Sequence, residues 1–174
     1  MLVKFWISKV VDNLEEAVKT GNSKQYYECT MLGTSQYEET INTQPDVYWT
    51  IADELLKGYI SQAEDIYGAP VNIDFSIVEK NNLDDDEFAY WKEEIDYNYF
   101  PNPYNPFLPS TDGAEKIVEL VIRYKLKGTK HSATIDISPV YAVLTDDGWI
   151  LMFDYANNSF HDLVDSQYKN LYID

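Results

Sequence analysis

Polar and apolar positions alternate most regularly between Glu115 and Tyr155, where three runs predict an antiparallel meander of strands. Gly128 separates the first two runs, and Thr145-Asp146-Asp147-Gly148 separates the last two. In the first run the apolar residues share one parity: Val118, Leu120, Ile122, Tyr124 and Leu126. The other parity is mainly charged, so the pattern predicts a long sheet with one buried face and one solvated face.

The middle run contains Pro139, and the parity of its apolar positions shifts at that point. Proline has no backbone N–H to donate to a neighbouring strand. We therefore expect a bulge and a bend in this strand.

Apolar residues recur at three- and four-residue intervals in five segments, each of which predicts a helix. The first contains Phe5 and Trp6 on its apolar face and stops at Gly21. In the second, Ser23 is the expected N-cap and the helix runs to about Met31.

The third and longest helix is expected from Pro45 to Tyr67, and a strand with one buried face follows over residues 71–77. One apolar face is predicted for this helix: Val47, Ile51, Leu55, Tyr59, Ala63 and Ile66. Asp84 is the expected cap of the fourth helix. Its apolar row is Phe88, Trp91, Ile95 and Tyr99. A fifth helix is expected from Ser159.

The 174 residues, 45% of them hydrophobic, predict one α+β domain over 1–174, with a core at about 5–155 and an extension at about 156–174. The net charge of -17 argues against binding of nucleic acid or of an anionic membrane surface.

Cys29 is the only cysteine, which excludes an intramolecular disulfide and a cysteine-built zinc site. No apolar run reaches the length of about 20 residues that a membrane span needs. The apolar start, residues 1–7, is too short for a signal-peptide core, so an export signal would have to lie outside this sequence.

Residues able to do chemistry are scattered along the chain. His131 and His161 are the only histidines, and neither has a nucleophile motif nearby, so both are expected on the surface. The strand aspartates, Asp74, Asp136 and Asp154, are out of phase with the apolar rows. The acidic runs 84–86 and 146–147 lack the spacing of a calcium-binding loop. We therefore predict no catalytic residue, no metal site and no cofactor.

A proline-rich loop follows the fourth helix, with prolines at 101, 103, 106 and 109. Around it lie aromatic rings and amides that suit a sugar, a peptide or a protein partner, and these are the candidate ligand-binding residues: Tyr97, Tyr99, Asn102, Tyr104, Asn105 and Phe107. The alternative is that the rings cover one open end of the fold.

Four stretches carry a resemblance to a known family: FWISKVVDNLEEAVKTGNSKQYYECT, ADELLKGYISQAEDIYGAPVNIDFSI, VIRYKLKG and AVLTDDGWILM. In this order they resemble the nuclear transport factor two superfamily, the cystatin-like cone fold. Within it the chain looks like envelope domains of Gram-positive bacteria that follow a lipoprotein signal, where a segment similar to VEKNNLDDDEFAYWKEEI adds an acidic helix. The resemblance implies a curved antiparallel sheet wrapped around the N-terminal helices, with an extra helix after the first strand and a C-terminal helix.

The sequence thus favours a non-enzymatic binding or interaction module at a bacterial cell envelope, tethered to the membrane in its full-length form. Its expected partner is a small molecule, a glycan or a protein, with a homodimer as a further expectation. Two alternatives stay open. One is a small-molecule isomerase or dehydratase that uses the cone pocket, and the other is an acidic cytoplasmic inhibitor or immunity protein that covers a basic site.

Overall fold

The computed structural model describes residues 6–30, 43–99, 114–145 and 148–153, without the side chains of residues 96–99. The predicted α+β class and antiparallel meander are confirmed, because the four strands form one sheet in the order β1-β2-β3-β4. The elements are α1 Ile7–Thr20, α2 Ser23–Cys29, α3 Pro45–Tyr67, β1 Asn72–Asn82, α4 Asp85–Tyr99, β2 Lys116–Lys127, β3 Ser132–Thr145 and β4 Gly148–Phe153. The predicted C-terminal helix and extension lie outside the described residues. In the described ranges, no helix combines the length and the apolar character needed to cross a membrane.

The first two helices meet at a tight turn. Gly21 ends α1 in a left-handed conformation with φ 65°, as the sequence predicted. Trp6 does not join the apolar face, since 80% of it is exposed at the start of the helix. The predicted cap of α2 was also wrong: Asn22, not Ser23, is the N-cap, and its Oδ1 accepts a hydrogen bond from the Gln25 backbone N–H at 3.0 Å. α2 ends at Cys29 instead of near Met31.

The long helix α3 has the predicted bounds but not the predicted inward face over its first half. Three residues of the predicted row are exposed: Val47, Ile51 and Leu55. Tyr48 and Leu56 are buried in their place, and the row is inward again at Ala63 and Ile66. Both rows have helical spacing, so periodicity alone could not choose between them.

The carboxyl end of α3 is fixed to the turn between β2 and β3. The Tyr67 carbonyl oxygen accepts hydrogen bonds from the backbone N–H groups of Lys130 at 2.8 Å and His131 at 3.0 Å. Gly128 lies so close to the Tyr67 carbonyl that a Cβ would collide with it. The helix and the hairpin therefore form one packed unit.

The sheet contains two bulges that meet on one residue of β2. In β3, Ser138 and Pro139 together lie opposite Val121, as the predicted bulge at Pro139 requires. In β1, Val78 is the extra residue beside the same Val121. Bulges increase the local twist and bend of the strands that carry them.

Both faces of the sheet are partly covered, so the expectation of a one-sided sheet was wrong. On the first face the predicted β2 row packs with α1 and with the end of α3. On the second face, at the other end of the strands, α4 covers a separate cluster: Ile95, Ala114, Ile117, Tyr141, Val143, Ile150 and Met152. The shift of parity in β3 also reflects burial on both faces of the strand. Tyr141 and Val143 are buried in the cluster under α4, whereas Val140 and Ala142 are buried in the first core.

The start of α4 follows the prediction. The Asp84 carboxylate accepts from the Glu87 backbone N–H at 2.9 Å, and the Glu87 carboxylate accepts from the Asp84 backbone N–H at 3.1 Å. This reciprocal pair is a capping box, in which Asp84 is the N-cap that the sequence predicted. Phe88 and Trp91 are half-buried against the second cluster, as expected.

Candidate functional site

A cleft of about 210 Å³ opens where α1, α2 and β4 meet. Each element contributes to its lining: Lys9, Val10 and Asn13 from α1, Gln25, Glu28 and Cys29 from α2, and Gly148 and Trp149 from β4. The lining therefore combines an indole ring, two amides and both signs of charge. That mixture suits a small polar ligand with at least one apolar face.

Backbone and side-chain contacts hold the three walls together. The amide of Gln25 donates to the Asn13 carbonyl oxygen at 3.2 Å, which joins α2 to α1. Just after α2, Thr30 forms an isolated bridge with Leu151 on β4. The Thr30 hydroxyl donates to the Tyr26 carbonyl oxygen at 3.1 Å and is itself buried. The cleft is thus built on ordered elements.

Trp149 is half-buried and packs against the main core while it also lines the cleft. Its position is set by the β3–β4 hairpin, in which it pairs with Leu144. A tryptophan held in this way presents a fixed aromatic surface with one N–H donor. Rings of this kind bind ligands with little loss of side-chain entropy.

Cys29 lies on the wall of the cleft but is buried, with 4% of its surface exposed. Burial, with a smaller contribution from the Glu28 carboxylate, raises the pKa of the Cys29 thiol to about 12. The thiol is therefore protonated at neutral pH, and the protonated form is not a nucleophile. Cys29 acts as an apolar packing residue here.

No carboxylate or imidazole is buried among the described residues. The buried polar residues there are Ser23, Thr30 and Thr145, and no Asp, Glu or His is among them. His131 is exposed on the turn between β2 and β3. No three His, Cys, Asp or Glu side chains of the described ranges come together as a metal site.

Two basic side chains of β2, Arg123 and Lys125, pair with acids on the neighbouring strands. Arg123 donates from Nε and Nη2 to both carboxylate oxygens of Asp136, at 2.7 and 2.8 Å. This hydrogen bonding holds the pKa of the Asp136 carboxyl below its usual range. Lys125 pairs more loosely with Asp74 at 4.0 Å. These two cations are therefore not free to bind phosphate groups.

The side chains of the predicted ligand-binding residues lie outside the described part of the chain. Tyr97 and Tyr99 have their backbone in the last turn of α4, not on the loop, and their side chains are outside the described atoms. Asn102, Tyr104, Asn105 and Phe107 all lie outside the described residues.

The cleft residues were missed by the sequence reasoning, although one signal was present. Asn13 follows Val10 by three residues, which places it at the edge of the buried face of α1, and it is half-buried there. A polar residue at such a position needs a partner or a ligand. The contribution of Trp149 could not be foreseen, since it depends on how β4 packs against α2.

Comparison with protein-family models, with curated proteins and with solved structures gives no match for this chain.

Proposed function

We propose that this chain is a non-enzymatic binding module that holds a small polar ring, of the glycan class, in the cleft between α1, α2 and β4. The observation that carries the proposal is the lining itself, because Trp149, Asn13 and Gln25 border the same cleft. A sugar has apolar C–H faces that can pack on an indole and hydroxyl groups that pair with amides.

The volume of the cleft limits the size of the ligand, and the size of the ligand limits its binding free energy. A volume of about 210 Å³ accepts one sugar ring rather than a long chain. A monosaccharide has about 12 non-hydrogen atoms, and at about 0.3 kcal/mol per atom the binding free energy is about 4 kcal/mol. This corresponds to a Kd of about 1 mM for one ring. A longer glycan would gain affinity only by contacts outside the cleft.

Asn13 and Gln25 fix the orientation of the ligand, while Lys9 and Glu28 at the cleft wall select against strongly charged ligands. A formally anionic sugar meets the Glu28 carboxylate, and the whole chain carries a charge of -17. A neutral or zwitterionic ring fits both charged groups. The preferred ligand in this proposal is therefore a neutral or N-acetylated sugar.

The scaffold in this proposal is a cone-like sheet that curves around α1. Two observations support it: the paired bulges beside Val121, and the burial of the first sheet face against α1. Work at a bacterial envelope, where glycans are abundant, belongs to the same proposal and is supported by the sequence resemblance. Cell fractionation of the native protein tests that location, and recovery in the cytosol alone would contradict it.

Isothermal titration with glucose, galactose and N-acetylglucosamine tests the binding. We expect saturable binding of at least one sugar with a Kd of about 1 mM. Asn13→Leu should weaken binding about fivefold, because one amide hydrogen bond contributes about 1 kcal/mol. The matched control is Asn72→Leu, which makes the same change at an exposed position on β1, at the opposite edge of the sheet.

The control variant should bind like the wild type. Absence of saturable binding for all three sugars would contradict the proposed ligand class. Equal effects of Asn13→Leu and Asn72→Leu would contradict the proposed place of binding.

A further inference from the structure

The outer face of α3 carries an apolar ridge that the fold leaves open to solvent. Val47, Ile51 and Leu55 are 49, 52 and 58% exposed. Their four-residue spacing aligns them on one side of the helix, over a length of about 12 Å. Isolated exposed apolar residues are common, whereas three large ones in one row on a helix are typical of an interaction surface.

Gly58 continues this ridge one turn beyond Leu55. No described atom lies within 4 Å of the point where a Cβ would be placed, and its φ is not left-handed. Neither backbone conformation nor packing of the described residues explains a glycine here, although glycine is a poor helix former. A glycine beside an apolar ridge does allow a second helix to approach closely.

The charge around the ridge identifies the kind of partner. α3 contains five acidic residues, Asp46, Asp53, Glu54, Glu64 and Asp65, and one basic residue, Lys57. The stem of Lys57 packs over Gly21 at the turn between α1 and α2. Glu54 is exposed three residues after Ile51 and four before Gly58, so it flanks the ridge, and the exposed Asp65 lies two turns beyond Gly58. A second copy of this chain would bring its own charge of -17 against this face.

We propose that the ridge of Val47, Ile51, Leu55 and Gly58 is a docking surface for a cationic amphipathic helix of another protein. The leucine-type side chains of that helix pack on the ridge, and its Lys or Arg residues pair with Glu54 and Asp65. The close approach occurs at Gly58. This surface is separate from the cleft and uses none of its residues.

The test uses the full chain and a synthetic helical peptide of leucine and lysine, with the leucines spaced along one face. A peptide of the same composition in shuffled order controls for charge alone. We expect the patterned peptide to bind at least tenfold more tightly than the shuffled one, which is about 1.4 kcal/mol. Added salt should weaken binding, since charge pairs at the rim are screened.

Two substitutions separate the ridge from the rest of the molecule. Leu55→Lys should weaken peptide binding at least tenfold, while Val78→Lys, a matched change at the exposed bulge of β1, should leave it unchanged. Gly58→Ala should raise the Tm by about 2–4 °C, because alanine favours the helix, and yet weaken binding at least tenfold. A merely structural glycine would not produce that opposite pair of effects.

Three results would overturn the proposal. The first is equal binding of the patterned and shuffled peptides, or no binding of either. The second is an unchanged Kd for both Leu55→Lys and Gly58→Ala. The third is a stable dimer of the wild type in sedimentation that Leu55→Lys dissociates, which would assign the ridge to a second copy. Sugar titration of the same variants keeps failure of this proposal distinct from failure of the cleft.

Discussion

The side chain of Tyr67 is buried at the end of α3, but its hydroxyl has no hydrogen-bond partner among the described residues. Burial also raises the pKa of this hydroxyl. A buried donor without a partner costs about 1–3 kcal/mol relative to its hydrated state. Tyr67 therefore stabilises the fold through burial of its ring and not through its hydroxyl.

Replacement of Tyr67 by Phe should stabilise the protein by about 1 kcal/mol, because it removes the unpaired hydroxyl and keeps the ring. Urea unfolding measures the change. The matched control is Ser23→Ala, where a paired hydroxyl is lost, since Ser23 Oγ donates to the Asp53 carboxylate at 2.6 Å. The control should lose about 1 kcal/mol. A comparable loss for Tyr67→Phe would show that its hydroxyl is paired after all.

Cys29 makes a second prediction at the residue scale. With its pKa raised from 9.0 to about 12, the folded thiol holds about a thousandfold less thiolate at pH 8 than the unfolded one. Iodoacetamide should therefore alkylate the native protein far more slowly than the protein in urea, as mass spectrometry can follow. Cys29→Ala gives the background.

The raised pKa of Cys29 also makes the stability of the folded protein depend on pH. Because the folded pKa is the higher one, the contribution of Cys29 is complete below pH 9.0 and is lost as the pH rises towards about 12. Equal alkylation rates in the native and unfolded states would contradict the burial of the thiol.

At the scale of the elements, one carboxylate joins two helices. Asp53 on α3 accepts hydrogen bonds from the Ser23 backbone N–H at 2.8 Å and from its hydroxyl at 2.6 Å. It thus satisfies a free N–H in the first turn of α2 from a different helix. Since α2 forms one wall of the cleft, this contact also positions Gln25 and Glu28.

Asp53→Ala should lower the free energy of unfolding by about 1–3 kcal/mol, because it leaves part-buried donors on Ser23 without an acceptor. Glu54→Ala is the matched control on the same helix, at an exposed position, and should change stability by less than about 0.5 kcal/mol. Urea unfolding midpoints compare the two. If both variants lose the same amount, the effect belongs to helix charge and not to the contact with α2.

The bounds of α3 and the alternation along β2 were the features best predicted from sequence, whereas β1 continues to Asn82, beyond its predicted end. Pro45 and Gly68 delimit α3, and the apolar row of β2 from Val118 to Leu126 is buried as predicted. The inward face of α3 was not predictable, because its first half has two apolar rows of equal spacing. Only packing against α1 and α2 decides that Tyr48 and Leu56 are buried and Ile51 is exposed.

At the scale of the whole molecule, the sheet separates two cores. Alternation predicted the first, because one face of β2 is apolar along its whole length. The second was not predicted, although Tyr141, Val143, Ile150 and Met152 are apolar on the opposite parity. In a strand that is buried on both faces, apolar and polar residues do not alternate, so the sequence does not show which residues face which core. The cleft also escaped prediction, since its walls come from distant parts of the chain.

The indole N–H of Trp149 reports directly on the cleft, the feature on which the proposed function depends most. The four tryptophans give four indole resonances in a ¹H–¹⁵N spectrum, and Trp149→Phe assigns the relevant one. During titration with the sugar that binds, we predict a saturable shift of the Trp149 resonance, while the resonance of Trp6, exposed and outside the cleft, stays in place. A Trp149 resonance that does not move while the sugar binds would contradict the account.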